Sequence, residues 1–146
     1  MKEAVSLDDQ HTNSIISLLN SHGLPIQDID PDKLTFWGIF DDKSLVACGG
    51  IEILGSSGLL RSLAVDRNYQ NHGLGKIIYE KIIDHAVIVN LKSLYLLTTT
   101  ASEYFNKKGF NSIERHNVPE KLLNTEEFKS LCPTSAICMQ LDLNKI

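Results

Sequence analysis

The chain has 146 residues, 42% of them hydrophobic and 22% charged, with a formal net charge of −4; that is enough for one ordinary soluble domain with its own core. An acidic chain with scattered cations disfavours a nucleic-acid partner, which would favour a clustered basic face. No apolar run approaches the roughly 20 residues of a membrane span, and the start Met1-Lys2-Glu3-Ala4-Val5 lacks the apolar core of a signal peptide. Cys48, Cys132 and Cys138 show no metal-ligand spacing, so the reading is a cytoplasmic protein with reduced thiols and no metal. With no repeat, low-complexity stretch or linker, residues 1–146 are taken as a single domain.

Residues 2–6 read as a short strand. Ser6, Asp8 and Asp9 supply helix-start chemistry, and Ile15, Leu18 and Leu19, with His11 and His22, fall on one face of the helix that follows. Gly23 stops it and Pro25 comes shortly after. Residues 23–33 carry two prolines and three aspartates and read as loop or broken turn. Residues 34–40 are rich in β formers, with Trp37 as core or cleft wall, and Asp41-Asp42-Lys43 turns the chain. Residues 45–54 form the next strand, in which Gly49-Gly50 suggests a bend or a close backbone contact. Gly55-Ser56-Ser57-Gly58 reads as a hairpin turn and residues 59–65 as its returning strand.

The stretch that follows is Gln70-Asn71-His72-Gly73-Leu74-Gly75, or Q-x-x-G-x-G. It stands between a strand and a helix, and that order makes an anion cradle. The first N–H groups of a helix lack intrahelical partners, and the dipole there carries about half a positive charge. The helix is the best-defined element: Leu74, Ile78, Ile82, Ala86 and Val89 recur at helical spacing, widened by Tyr79 and Ile83, with Lys76, Glu80, Lys81 and Asp84 opposite and His85 on the polar side. Residues 94–97 read as a buried strand, 102–108 as a short helix ended by Gly109, 110–114 as a strand, 118–131 as a partly helical insertion and 134–143 as a final strand. Alternation of this kind gives a mixed α/β sheet with helices on both faces.

This order, with Q-x-x-G-x-G opening the long helix, resembles the GNAT family of acyl-coenzyme-A-dependent N-acetyltransferases. Leu63-Ala64-Val65-Asp66 is similar to that family's L-x-V-x strand, and Tyr104-Phe105-Asn106-Lys107-Lys108-Gly109-Phe110 to its short-helix motif ending in Gly-Phe. Gly23-Leu24-Pro25, Leu60-Arg61-Ser62-Leu63-Ala64-Val65, Leu96-Leu97-Thr98-Thr99-Thr100-Ala101 and Leu131-Cys132-Pro133-Thr134-Ser135-Ala136 resemble, more narrowly, the branch associated with bacterial arsenic-resistance operons. The resemblance implies an α/β GNAT fold, a central mixed, mainly antiparallel sheet of six to seven strands with a splayed fourth and fifth strand. It also implies acetyl-CoA as cosubstrate, a small-molecule amine as acceptor and a homodimer as one open assembly state; a non-catalytic acyl-CoA-binding sensor or partner module is the alternative.

Carried onto this sequence, the resemblance puts the pantetheine arm on the backbone of Leu63, Ala64 and Val65. The diphosphate falls to the N–H groups of Gln70, Asn71, His72, Gly73, Leu74 and Gly75 with Lys76. Gln70 brings an amide but no charge. A backbone N–H of Leu63 or Val65 would polarise the thioester carbonyl for direct attack by the amine. The acid for the departing thiolate departs from the family pattern, because Phe105 stands at the usual Tyr position and falls to the cofactor side of the site. Tyr104, one residue earlier, points about 100° away on a helix; it and Ser102 are the remaining hydroxyl candidates, and Thr98 is placed on the substrate side.

Arg61 is a charged residue in a strand of Leu59, Leu60, Leu63 and Val65, which is costly unless it is paired or faces a cleft. Strand alternation puts it on the face of Leu59 and Leu63. Two readings stand: a clamp for an anionic group on the substrate, or a packed stem with its head in solvent. Glu52 on the preceding strand either pairs with Arg61 or accepts a proton through water. Cys132, before Pro133, borders the acceptor side as a thiol able to touch a soft metalloid, with simple packing as the alternative. Cys48 and Cys138 look like strand-core residues, His72 contributes backbone, and His116 and Arg115 read as exposed loop or cleft residues.

Overall fold

A computed structural model describes residues 3–31, 33–131 and 135–145. In chain order the elements are β1 (Val5–Leu7), α1 (Thr12–Ser21), β2 (Thr35–Asp41), β3 (Ser44–Leu54), β4 (Ser57–Val65), α2 (Leu74–Ile88), β5 (Ser93–Thr98), α3 (Ser102–Lys107), β6 (Asn111–Ser112), α4 (Glu120–Leu123) and β7 (Ile137–Asp142), with short 3₁₀ turns and one π-helical turn (Glu127–Leu131) between them. Hydrogen-bonded neighbours run β1-β2-β3-β4-β5-β7-β6. The β1/β2, β2/β3, β5/β7 and β6/β7 pairs are antiparallel and β4/β5 is parallel, the mixed, mainly antiparallel sheet that the sequence leads one to expect. Two compact units are present: Met1–Glu52 with Leu60–Val89, and Ile53–Leu59 with Asn90–Ile146.

In the first unit the helix start expected near Asp8 is a 3₁₀ turn. Asp8 accepts the Gln10 N–H and forms a capping box with His11, and α1 continues from that turn. Its end follows Gly23 (φ +67): the Gly23 N–H donates to the Asn20 carbonyl and the Leu24 N–H to the Leu19 carbonyl, the paired bonds of a glycine-terminated helix. Ile15, Leu18 and Leu19 join Leu7, Leu34, Phe36, Cys48 and Ala64 in one core cluster. The Gly49-Gly50 pair serves side-chain packing and not backbone contact. A Cβ on Gly49 would lie 2.6 Å from Ile78 Cγ2, and one on Gly50 2.6 Å from the Phe36 ring. Along α2, Leu74, Ile78, Tyr79, Ile82 and Ala86 are buried as the periodicity predicts; Ile78 and Ile82 are fully buried, each worth about 1.5–3 kcal/mol. Val89 departs from the expected stripe. The helix ends at Ile88, so Val89 is its cap and is exposed.

The expected hairpin turn over residues 55–58 is shorter than read. Gly55 (φ +66) makes it with Ser56, while Ser57 and Gly58 already belong to β4. In the second unit Ser57, Gly58 and Leu59 pair in parallel with Ser93, Leu94 and Tyr95. Leu59, Tyr95, Val118, Leu122, Phe128 and Cys138 form one core cluster there. The strand expected over 110–114 contracts to Asn111–Ser112, and the last strand starts at Ile137. Among the described residues no helix is long and apolar enough to cross a membrane.

Candidate active site

The first half of β4 does not alternate. Gly58 to Arg61 are buried in succession, and Ser62 has φ +61, a left-handed conformation that only a special backbone feature imposes on a serine. This is a bulge. Leu59 and Arg61 both precede Ser62, so the break bears only on the part of the alternation that reaches Leu63. The bulge also lets neighbours meet that a regular strand would separate: Arg61 Nε donates to Ser62 Oγ (3.2 Å). Past Ser62, Leu63 and Val65 are half-buried and Ala64 is buried.

The Val65 carbonyl, one of the groups assigned to the pantetheine arm, already has protein partners. Gln70 Nε2 donates to it (3.1 Å) and His22 Nε2 lies 2.8 Å away. Asp66 anchors the turn, its N–H on the Val46 carbonyl (2.8 Å) and its carboxylate accepting from Asn68 N–H. Asn71 (φ +67) and Gly73 (φ +79) both take the left-handed conformation that aims successive N–H groups outward. α2 starts on Gly73 with no side-chain cap and no acidic residue in its first turn, so its leading N–H groups have no built-in anion. His72 is exposed, as is Lys76. Gly75 fits against the strand, where a Cβ would sit 3.6 Å from Val65 Cγ2.

Arg61 answers its burial differently from either expectation. Its side chain is 0% exposed, so the head is not in solvent. It donates Nη1 and Nη2 to the two carboxylate oxygens of Asp28 at 2.5 and 2.6 Å, a bidentate pair that occupies the fork a substrate anion would use. Glu52 Oε1 stands 3.8 Å from Nη1, the structural pairing considered for it. Burial pushes the Glu52 carboxyl above its ordinary 4.5; Arg61 pulls it back and Asp28 adds to the rise. The Asp28 and Glu52 side chains are 21% and 26% exposed. Asp28 was missed as a site residue: it lies 33 positions from Arg61, in a segment whose only legible signal is turn composition.

In the second unit, Thr98 Oγ1 accepts the Ala101 N–H at 2.9 Å, tying the end of β5 to the start of α3, and Ser102 is half-buried. Tyr104 is 39% exposed, its ring edge-on to Phe105 with Lys108 Nζ 5.5 Å from its centroid. Phe105 is buried and meets Phe110 edge to face at 5.6 Å. The Phe110 N–H donates to the Phe105 carbonyl and Gly109 (φ +102) to Asn106, so Gly109-Phe110 closes α3 and staples it to Phe105. Tyr104 thus stands exposed beside Phe105, whose own ring is buried. Cys138 is buried, which pushes its thiol up to about 11, and burial pushes that of Cys48 up to about 12; both are strand-core residues. Cys132 lies outside the described residues. His85 is not merely solvated, since its ring meets buried Trp37 at 5.0 Å. Arg115 lies over the Phe128 ring and donates to the Ala136 carbonyl, while His116 is exposed.

Residues 7–110 match the model of the acetyltransferase (GNAT) family. The amino-acid acetyltransferase of Pseudomonas syringae pv. syringae is 26% identical over 123 residues, covering 79% of this chain and 28% of that protein. Of solved structures, N-acetylglutamate synthase from Neisseria gonorrhoeae, complexed with coenzyme A and L-arginine, superposes with a TM-score of 0.79 at 18% identity over 97% of this chain and 33% of that one. A GNAT-family acetyltransferase from Staphylococcus aureus Mu50 does so with a TM-score of 0.77 at 18% identity over 98% and 99%. The chain spans less than a third of the length of the Pseudomonas relatives it matches. A family model matching most of the chain, on the strand–bulge–turn–helix just described, fixes the family assignment: this chain belongs to the GNAT acetyltransferase family.

Proposed function

We propose that this chain transfers an acetyl group from acetyl-CoA to a small primary amine by direct attack, with Glu52 as proton acceptor. The observation that carries the reading is the uncapped start of α2 on Gly73, directly after a β4 that bulges at Ser62, in a chain of this family. The N–H groups from Gln70 to Gly75 and the Lys76 ammonium hold the diphosphate. The backbone around Leu63, Ala64 and Val65 takes the pantetheine arm, with the Val65 N–H as its contributing group, since the Val65 carbonyl is engaged by His22 and Gln70.

In the reaction the amine nitrogen forms a bond to the acetyl carbon and the C–S bond breaks. The proton lost from nitrogen passes to Glu52, and coenzyme A departs as a thiolate that solvent protonates. A carboxylate whose affinity for protons is raised by burial suits that role better than an ordinary surface glutamate. Phe105 carries no acidic hydrogen, and a thiolate is a tolerable leaving group near neutrality, so this step requires no side-chain acid. The narrower resemblance to the arsenic-resistance branch adds an amino-acid-like organoarsenical to the acceptors worth testing, with Cys132 and Thr98 as residues toward it. The test is calorimetric titration with coenzyme A and acetyl-CoA, followed by thiol release with an amine panel. The reading requires micromolar binding and turnover with at least one amine. Phe105 in the Tyr position favours the second reading, a non-catalytic acyl-CoA binder, which binding without thiol release for every amine would establish.

A further inference from the structure

Arg61, Asp28 and Glu52 form one cluster in the first unit, and its layering is unusual for a site meant to hold an acid group. The cation is at the bottom, with none of its side chain exposed, and the two partly exposed carboxylates lie over it. The solvent-reaching side chains of these three are those of Asp28 and Glu52, not that of Arg61. Of the partners described here, two are carboxylates set against one guanidinium. Arg61 precedes the Ser62 bulge and stands two residues before Leu63, so the cluster lies within about 7 Å along the chain of the backbone assigned to the reacting thioester.

We propose that Asp28 is the residue that sets the charge of the acceptor. It closes Arg61 against substrate carboxylates, so that the acceptor approaches as an ammonium drawn to Glu52, releases one proton to solvent to become the attacking amine, and passes the second to Glu52 as the amide forms. This rests on the acetyl-transfer reading and deepens it. A free carboxylate would have to displace Asp28 from a buried bidentate contact, in competition with a group tethered to the same fold, and tethered ligands compete at millimolar or higher effective concentration. Asp28 acts through Arg61 and is a specificity-positioning residue, not a catalytic one.

Matched acceptors that differ only by the α-carboxylate provide the test: tyramine against tyrosine, putrescine against ornithine, agmatine against arginine. The wild type is expected to favour the decarboxylated member of each pair by at least tenfold in kcat/KM. In Asp28→Ala the ratio shifts at least tenfold toward the amino acid; Asp28→Asn, which keeps shape but loses charge, shifts it the same way by less. Added formate raises the melting temperature of Asp28→Ala and not that of the wild type, because the ion refills the vacated fork; this readout keeps the inference testable even if the variant turns over slowly. Turnover with ratios unmoved in both variants, or a wild type that favours amino acids, overturns the role of Asp28 alone. No thiol release with any amine overturns the acetyl-transfer reading and this inference with it.

Discussion

The residues around Arg61 and those around Gly73 belong to one continuous strand–turn–helix stretch, yet they treat charge in opposite ways. At Arg61 a buried cation is answered side chain by side chain within the fold. At Gly73 the helix start has no side-chain cap and no acidic residue in its first turn, and the first charged residue of the helix, Lys76, has the same sign. A saturated centre is rigid and selective because a newcomer must displace something. An unsaturated one is receptive because a newcomer completes it. On the proposed function, acceptor choice belongs to the first and carrier binding to the second, and the two should fail separately when mutated.

Four variants and one labelling experiment sharpen that contrast. Arg61→Leu should cost most, about 3 kcal/mol of stability, since it strands Asp28 and Glu52. Scanning calorimetry should show a fall of roughly 10 °C, with coenzyme A affinity of the folded fraction retained; loss of affinity with an unchanged melting point would break the contrast. Glu52→Gln should lower kcat/KM about 100-fold and remove an acidic limb that lies above the ordinary range of a glutamate. The same carboxyl bears on stability. Its folded value is raised, so the native state holds the proton more tightly; that contribution is full below the unfolded value and is lost as pH rises through the folded one. Melting curves across this window should flatten in Glu52→Gln.

Gly73→Val should weaken coenzyme A at least tenfold by calorimetry. A Cβ there meets nothing within 4 Å, so the penalty is that of a left-handed residue with a side chain, about 1–2 kcal/mol, spent on the turn and not on Arg61; unchanged acceptor preference should accompany it. Phe105→Tyr should change kcat by less than about threefold while lowering stability by about 1 kcal/mol, as a hydroxyl enters an aromatic contact; a large rate gain would show that thiolate protonation limits the reaction. Smallest of all, Cys48 should resist alkylation in the native protein near neutral pH, since its thiol is buried and pushed up to about 12. Mass spectrometry finding rapid modification there would contradict the packing of the first unit.

Local chemistry was legible in the sequence and long-range chemistry was not. The α2 stripe from Leu74 to Ala86, the stop at Gly23 and the closure of α3 at Gly109 are written in spacing and glycine, and the structure carries each. The left-handed residue in β4 is a serine, so nothing marked the bulge, and alternation could not be carried across it to Leu63. The charge of Arg61 advertised a need for a partner but not its identity. Asp28 is one of three aspartates in a proline-bearing loop, and only the folded chain singles it out. Ser57 and Gly58 read as turn by composition, yet they pair with β5 because tertiary hydrogen bonding outweighs a weak propensity.

The adjacent glycines of β3 have a further consequence. Gly49 is filled by Ile78 and Gly50 by Phe36, so each missing methyl is replaced by atoms from another element. Among homologous chains, then, neither glycine is free to drift alone. An alanine at the first should coincide with a shorter side chain in place of Ile78, and one at the second with a smaller group in place of Phe36, two independent couplings that a sufficiently deep set of related sequences would display.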